Sequence, residues 1–283
     1  MKTVRMPKRH LFEIPDTAQN ILLQKYNLER VLGQGVSGTV YKSVRISDNL
    51  PTAIKIIPKN SGTIYRWKYD RSLGTTVPME VFILKRLDFP GIVKFIEFLE
   101  DLNYFYLVME FVGSENKRRS SFDLFDLISN SNFIETRIKH IFKQVAESVS
   151  YLHEKEIIHG DIKDENIVID SEFNAKLVDF GSSDTGSIVG FRGTKHYTPP
   201  ELVNDPNYKH DGFSVDVWCL GVLLYTLSFS TIPFKSMQDI IEGKYQETEI
   251  NRSEELMDLL SKMLELDPKK RITIAQVQSH PWL

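Results

Sequence analysis

The sequence predicts an α+β fold in two parts, a strand-rich N-terminal part carrying one helix and a mainly helical C-terminal part. Three observations predict it. From Tyr26 the pattern is β-like, through Asn27 to Leu32 and the alternating Val40, Val44 and Ile46, with Gly33, Gly35 and Gly38 marking a turn between two strands. The apolar runs stop after Met109-Glu110-Phe111-Val112-Gly113, and the chain is polar and charged up to Ser121. Beyond that point the period is helical, with Ile138, Ile141, Phe142, Val145, Val149 and Leu152 recurring at three- and four-residue steps.

Taken in order, residues 1–25 are an N-terminal extension, basic at first and without a strong period, expected to lie on the first lobe or to be partly disordered. The glycine-rich turn has the spacing G-x-G-x-x-G, and a strand rather than a helix follows it, which argues against a Rossmann dinucleotide site. On its own it is also compatible with a plain hairpin turn. Thr52-Ala53-Ile54-Lys55-Ile56-Ile57 is the next strand, with a lysine in an otherwise apolar run. Pro78 opens a helix that carries Glu80 and has an apolar face of Val81, Leu84 and Leu87. Two further strands run from Ile92 to Leu99 and from Tyr104 to Phe111. In the second part, Leu220, Val222, Leu223, Leu224 and Leu227 give a helix apolar nearly all round, which predicts its buried centre. Cys219 belongs to that helix and is expected to be a small core residue rather than a reactive thiol.

Composition narrows the function. The 283 residues are 41% hydrophobic and 26% charged, enough to bury a sizeable core. A net charge of -3 argues against nucleic acid or an anionic membrane as the main partner. One cysteine excludes a disulfide framework and points to a reducing compartment. There is no secretory signal and no 18-residue apolar run, so the expected location is the cytoplasm or the nucleus.

The chemistry concentrates in His159-Gly160-Asp161-Ile162-Lys163-Asp164-Glu165-Asn166 and Asp179-Phe180-Gly181. An Asp able to take a hydroxyl proton, with an Asn five residues on and a second Asp eighteen residues on, offers a base and hard oxygen ligands for Mg²⁺. In chain order stand the glycine loop, Lys55, Glu80, Asp161 to Asn166, Asp179-Phe180-Gly181, Gly193-Thr194, Pro199-Pro200-Glu201, Asp216-Val217-Trp218 and Asp267-Pro268 with Arg271.

This set resembles the eukaryotic protein kinases over residues 26–283. Val77-Pro78-Met79-Glu80-Val81, the Asp-Ile-Lys-Asp-Glu-Asn wording and His280-Pro281-Trp282 are most similar to the Pim and PAS-kinase branch of the calmodulin-dependent-kinase group. The resemblance implies a bilobal fold: a five-stranded antiparallel sheet with one main helix over residues 26–109, a hinge at 110–113 and a mainly helical lobe over 114–283. It implies ATP and Mg²⁺ as cofactors. Asp161 and Lys163 would be catalytic, and Asn166 and Asp179 would hold the metal. Leu32, Gly33, Gly35, Gly38, Val40, Ala53, Lys55, Glu80, Glu110 and Val112 would bind the nucleotide, with Met109 controlling access behind it. Glu201 and Arg271 would form a buried pair.

Lys163 and Thr194 favour serine/threonine specificity. Asp123, Asp126, Asp164 and Glu165 would form an acidic face for basic residues upstream of the target, with Thr194 at the substrate platform. The expected partners are protein substrates, with neither nucleic acid nor membrane, and the expected state is a monomer. One letter departs from the pattern, because Gly160 stands where the kinases carry Arg. Without that Arg no buried positive charge waits for an activation-segment phosphate, so activity is expected not to depend on one. The alternative is a pseudokinase scaffold with weak or no catalysis.

Overall fold

Alternating apolar positions make the N-terminal strands, and their pairing gives one five-stranded antiparallel sheet. The computed structural model describes residues 21–35, 38–59, 66–113, 122–130, 133–185, 188–190, 193–205, 207, 209–210, 212–246 and 248–283. Most of the expected extension, residues 1–20, and the polar segment 114–121 lie outside these. A short helix, α1 (Ile21–Lys25), leads into β1 (Tyr26–Gly35), β2 (Gly38–Arg45) and β3 (Pro51–Pro58). A hairpin follows, β4 (Trp67–Asp70) and β5 (Thr75–Pro78), then α2 (Met79–Leu84), β6 (Phe95–Glu100) and β7 (Tyr104–Glu110). The sheet order is β1-β2-β3-β7-β6.

Register decides which face each side chain takes. Lys55 stands directly across from Val40 on β2 and Leu107 on β7, so these three share one face. The intervening Ile54 and Ile56 take the other face, where they cluster with Tyr26, Leu99, Tyr106 and Val108. Leu22 of α1 is fully buried in that cluster, so the last residues of the expected extension help to close the sheet's outer core. The β4–β5 hairpin is not among the elements that the sequence pattern predicts. Its turn is closed by Asp70, fully buried, whose Oδ1 accepts from the N–H of Ser72 at 2.9 Å and of Leu73 at 3.1 Å. Arg86, just beyond α2, reaches the other carboxylate oxygen at 2.9 Å and ties the hairpin to the helix.

The second lobe begins with β8 (Phe122–Asp123), α3 (Leu124–Asn130) and α4 (Glu135–Glu154), whose predicted stripe of Ile138, Ile141, Phe142, Val145, Val149 and Leu152 is buried. The short strands β9 (Ile157–Ile158), β10 (Ile167–Ile169), β11 (Ala175–Leu177) and β12 (Asp184–Thr185) frame the loops below the sheet. Then come α5 (Pro200–Asn204), α6 (Phe213–Phe229), α7 (Met237–Glu242), α8 (Glu254–Met263) and α9 (Ile274–Gln278). In α6 every residue from Val215 to Phe229 is buried, Cys219 among them, as an all-apolar helix requires. The lobes are stitched behind the cleft, where the N–H of Val93 donates to Leu177 at 3.0 Å and that of Leu177 to Gly91 at 2.9 Å.

Glu201 of α5 and Arg271 form a two-bond pair, Nη1 and Nη2 each 2.9 Å from a carboxylate oxygen. Arg271 also donates to the carbonyls of Ser214 at 2.9 Å and Glu265 at 3.0 Å, and both side chains are buried. Arg271→Ala would leave the carboxylate of Glu201 uncompensated, and about 3–5 kcal/mol of stability should be lost. Urea denaturation measures it, and a loss below about 1 kcal/mol would show that the pair is solvated in solution.

Candidate active site

Between the lobes lies a cleft of about 400 Å³. Its roof is the glycine loop: Leu32, Gly33, Gly35, Gly38 and Val40 line it, and Ala53 and Lys55 follow from β3. Gly38 has a reason to be glycine, because its φ is +130° and a Cβ there would fall 2.3 Å from the carbonyl oxygen of Ile56. At the back, Met109, Glu110 and Val112 line the cleft. Glu110 is fixed by the N–H of Lys94 at 2.8 Å and by Lys176 Nζ at 2.6 Å, both on its Oε1. Phe111, Val93, Val168 and Val178 add to the apolar lining, and the three valines belong to none of the motifs above.

Lys55 is only 3% exposed, and its ammonium meets three carboxylate oxygens: Glu80 at 2.9 and 2.8 Å and Asp179 at 2.7 Å. Burial opposes the charge, but the attraction of Glu80 and then Asp179 outweighs it and holds the ammonium above the ordinary lysine range. For Asp179, desolvation works against ionisation, and the Lys55 ammonium overcomes it and keeps the carboxyl below the usual range. Asp179 has a left-handed backbone, φ 59°, which is costly for a residue with a side chain.

The loop from His159 to Asn166, the candidate catalytic loop, hangs from α6. Asp216, in its first turn and fully buried, accepts the N–H groups of His159 and Gly160, each at 2.9 Å, and faces His153 Nε2 at 3.0 Å. His159 has its ring edge-on to Phe180, centroids 5.0 Å apart, and so is a structural residue. The carboxylate of Asp161 is held from several sides. Its Oδ1 accepts from the N–H of Thr194 at 3.0 Å and the hydroxyl of Thr194 at 3.1 Å; its Oδ2 accepts from Asn166 Nδ2 at 3.0 Å and faces Lys163 Nζ at 3.2 Å. Lys163 also donates to Thr194 Oγ1 at 2.7 Å. Asn166 spends its amide N–H groups on Asp161, which leaves its amide oxygen for the cleft that it shares with Asp179. Two oxygen donors fit Mg²⁺, which takes one or two protein ligands plus substrate phosphates and water. Among the described residues no group of three or more His, Cys, Asp or Glu forms a self-contained metal cage.

The chain's middle and end match the family model for the protein kinase domain over residues 26–283. The chain belongs to the protein kinase family. It is 35% identical to the serine/threonine-protein kinase PSK2 of Saccharomyces cerevisiae over 91% of its length, and 36% identical to ppk6 of Schizosaccharomyces pombe over 92%. It is also 36% identical to the PAS domain-containing serine/threonine-protein kinase of Mus musculus over 92%. The chain spans 24%, 33% and 18% of the lengths of these relatives, respectively.

As a kinase domain, the structure modifies two expectations. Asp164 does not join the exposed acidic face: it is 8% exposed, lies in a 3-10 turn and accepts from the hydroxyl of Tyr197 at 3.1 Å, and burial pushes its carboxyl up. Asp123 and Glu165 line the cleft, Glu165 with Lys163 Nζ 3.0 Å away, and Asp126 is exposed. Desolvation, with Asp126, Asp164 and Glu165 nearby, holds the Asp123 carboxyl above its usual range. Thr194, expected only at the substrate platform, is bonded directly to Asp161 and Lys163.

Gly160 is the other case. Its φ is +78°, and a Cβ would lie 2.7 Å from the carbonyl oxygen of Ser182. Glycine therefore suits a left-handed backbone packed against the segment after Asp179-Phe180-Gly181. Gly160→Ala should lose about 1–2 kcal/mol from the left-handed conformation alone, and turnover should fall as Ser182 is pushed off the loop. Chemical denaturation and a kcat measurement test it; an Ala variant as stable and as active as the parent would show that this backbone is not held left-handed.

Proposed function

We propose that this chain transfers the γ-phosphoryl group of ATP to serine and threonine hydroxyls of protein substrates. The observation that carries the proposal is the Asp161 carboxylate, held by Thr194, Asn166 and Lys163 beside a cleft that carries the Lys55–Glu80–Asp179 network. Bound Mg²⁺ and ATP supply the phosphoryl donor and neutralise its charge. Asp161 would orient the incoming hydroxyl and take its proton, and Lys163 would steady the transferred group. Lys55 would hold the α- and β-phosphates, with Asn166 and Asp179 on the metal. Each residue whose loss would favour a pseudokinase is present, and glycine at 160 suits its backbone. Phosphate transfer to a mixed peptide library, with Asp161→Asn beside the parent, tests the activity. The variant should lose turnover by orders of magnitude, and equal turnover would sink the role of Asp161.

Asp123, Asp126 and Glu165 support a preference for arginine upstream of the target, since the planar guanidinium can pair two carboxylate oxygens. On a peptide array, replacing upstream Arg with Ala should weaken phosphorylation in the parent, and much less in an Asp123→Ala/Asp126→Ala enzyme. An array insensitive to upstream Arg would remove this specificity.

We also propose that activation-segment phosphorylation is not required. Ser183 is 1% exposed and donates to the carbonyl of His159 at 2.9 Å, so a phosphate there would have to break the loop it was meant to order. Ser187, a further hydroxyl of this segment, and Arg192 lie outside the described residues. Phosphatase-treated enzyme should retain its kcat; a loss beyond tenfold, about 1.4 kcal/mol of transition-state stabilisation, would show that a phosphate organises the site. A monomer in the cytoplasm or nucleus fits this function, and among the described residues no helix is long and apolar enough to cross a membrane.

A further inference from the structure

We propose that Arg66 is a positioning residue for phosphoryl transfer, coupling the helix that carries Glu80 to the activation segment through its ion pair with Asp184. Arg66 stands just before β4, and its guanidinium Nη1 pairs with Asp184 Oδ2 across 118 residues of sequence. Asp184 is 5% exposed, and a carboxylate so buried is held in place by its partners because leaving it unpaired is costly. The backbone of Arg66 does a second job: its carbonyl accepts the N–H of Met79, the first residue of α2, at 2.7 Å. One residue thus grips the start of α2 with its main chain and the activation segment with its side chain.

Both ends of this link lead to the reacting groups. Met79 precedes Glu80, the carboxylate that sets Lys55. Asp184 lies in β12, paired with Ile158 of β9, and the next residue along from Ile158 is His159 at the head of the catalytic loop. Ser183, before Asp184, holds the carbonyl of His159. At six residues, α2 is too short to be stable by itself, so contacts at its ends decide where it sits. Asp70 with Arg86 serves its C-terminal end, and Arg66 its N-terminal end. Without the guanidinium, Asp184 keeps the N–H of Thr185 on its Oδ1 at 2.6 Å but loses its ion-pair link to the residue that grips the start of α2, so the segment and the helix are no longer tied through Arg66 and α2 is freer to carry Glu80 away from Lys55. A side chain from the first lobe and an acid of the chain itself then do work that a phosphate could otherwise do.

The inference rests on the proposed activity, and two measurements separate them. Steady-state kinetics are compared for phosphatase-treated parent, Arg66→Ala, Arg66→Lys, Asp184→Asn and the Arg66→Ala/Asp184→Asn double variant, well below their melting temperatures. Arg66→Ala and Asp184→Asn should each lower kcat at least tenfold, with KM for ATP changed less than threefold. The double variant should be no worse than the poorer single, since both remove one interaction. Arg66→Lys, which keeps the charge, should stay within threefold of the parent. A side chain acting on stability alone would lower the melting temperature and leave kcat unchanged. Amide hydrogen exchange over residues 79–84 reads the coupling without turnover and should quicken in Arg66→Ala. Unchanged exchange there, kcat within threefold of the parent in Arg66→Ala, or losses that multiply in the double variant would each overturn the inference. An inactive parent whose α2 exchange still responds to Arg66→Ala would overturn the activity and uphold the coupling.

Discussion

The buried ammonium of Lys55 is the constraint on which the site depends. A charge that is 3% exposed costs several kcal/mol to desolvate unless it is paired, and its partners come from segments 25 and 124 residues away. The sheet, α2 and the Asp179 turn can therefore satisfy it in one arrangement only. Replacing the three groups by apolar side chains of similar size could leave the fold as stable, because desolvation offsets most of the Coulombic gain. What the network supplies is geometry: an ammonium charged at neutral pH, set at the back of a cleft with an oxygen-rich edge.

The second lobe solves the matching problem for Asp161 in a different currency. The loop that carries Asp161 is anchored by backbone N–H groups, donated by His159 and Gly160 to Asp216. Asp216 is fixed because α6 is buried along its length, so the position of the loop is inherited from a rigid helix. Side chains then set only the last ångström, through Thr194, Asn166 and Lys163. Thr194 has a double role there, since its hydroxyl accepts from Lys163 and donates to Asp161. Movement of the activation segment that displaced Thr194 would be felt at the Asp161 carboxylate without any change in α6.

Elements with a long, clean period were legible in the sequence, α4 and α6 above all, and so were β3 with its isolated lysine and the five-stranded antiparallel sheet that the family resemblance implied; the order of its strands was not. The β4–β5 hairpin was not, because Trp67–Asp70 and Thr75–Pro78 are four residues each and show little alternation. Its stability comes from Asp70 and Arg86, a tertiary contact that no local pattern reports. Asp164 shows the opposite failure. Next to Glu165 in the sequence it reads as half of an acidic patch, yet the 3-10 turn sends neighbouring side chains to different environments, Asp164 to Tyr197 and Glu165 to the surface. The Arg66–Asp184 pair, separated by 118 residues, had no signal in a single sequence at all.

Two left-handed residues, Asp179 and Gly160, flank the Asp161 loop, and they explain why glycine at 160 suits the backbone there. Asp179 keeps its φ of 59° against a strain of about 1–3 kcal/mol because its carboxylate is tied to Lys55. Gly160, at +78°, carries no such strain, and its missing Cβ lets the carbonyl of Ser182 come close enough to seat the segment on the loop. Any side chain at 160 would have to be compensated by an interaction strong enough to hold that backbone. With glycine the backbone is already accommodated, and the ordering of the segment falls to residues elsewhere: Ser183 on His159, the pairing of β12 with β9, and the guanidinium of Arg66. The work of seating the segment is thus moved off the catalytic loop, so a glycine before Asp161 can coexist with a carboxylate held as tightly as Asp161 is.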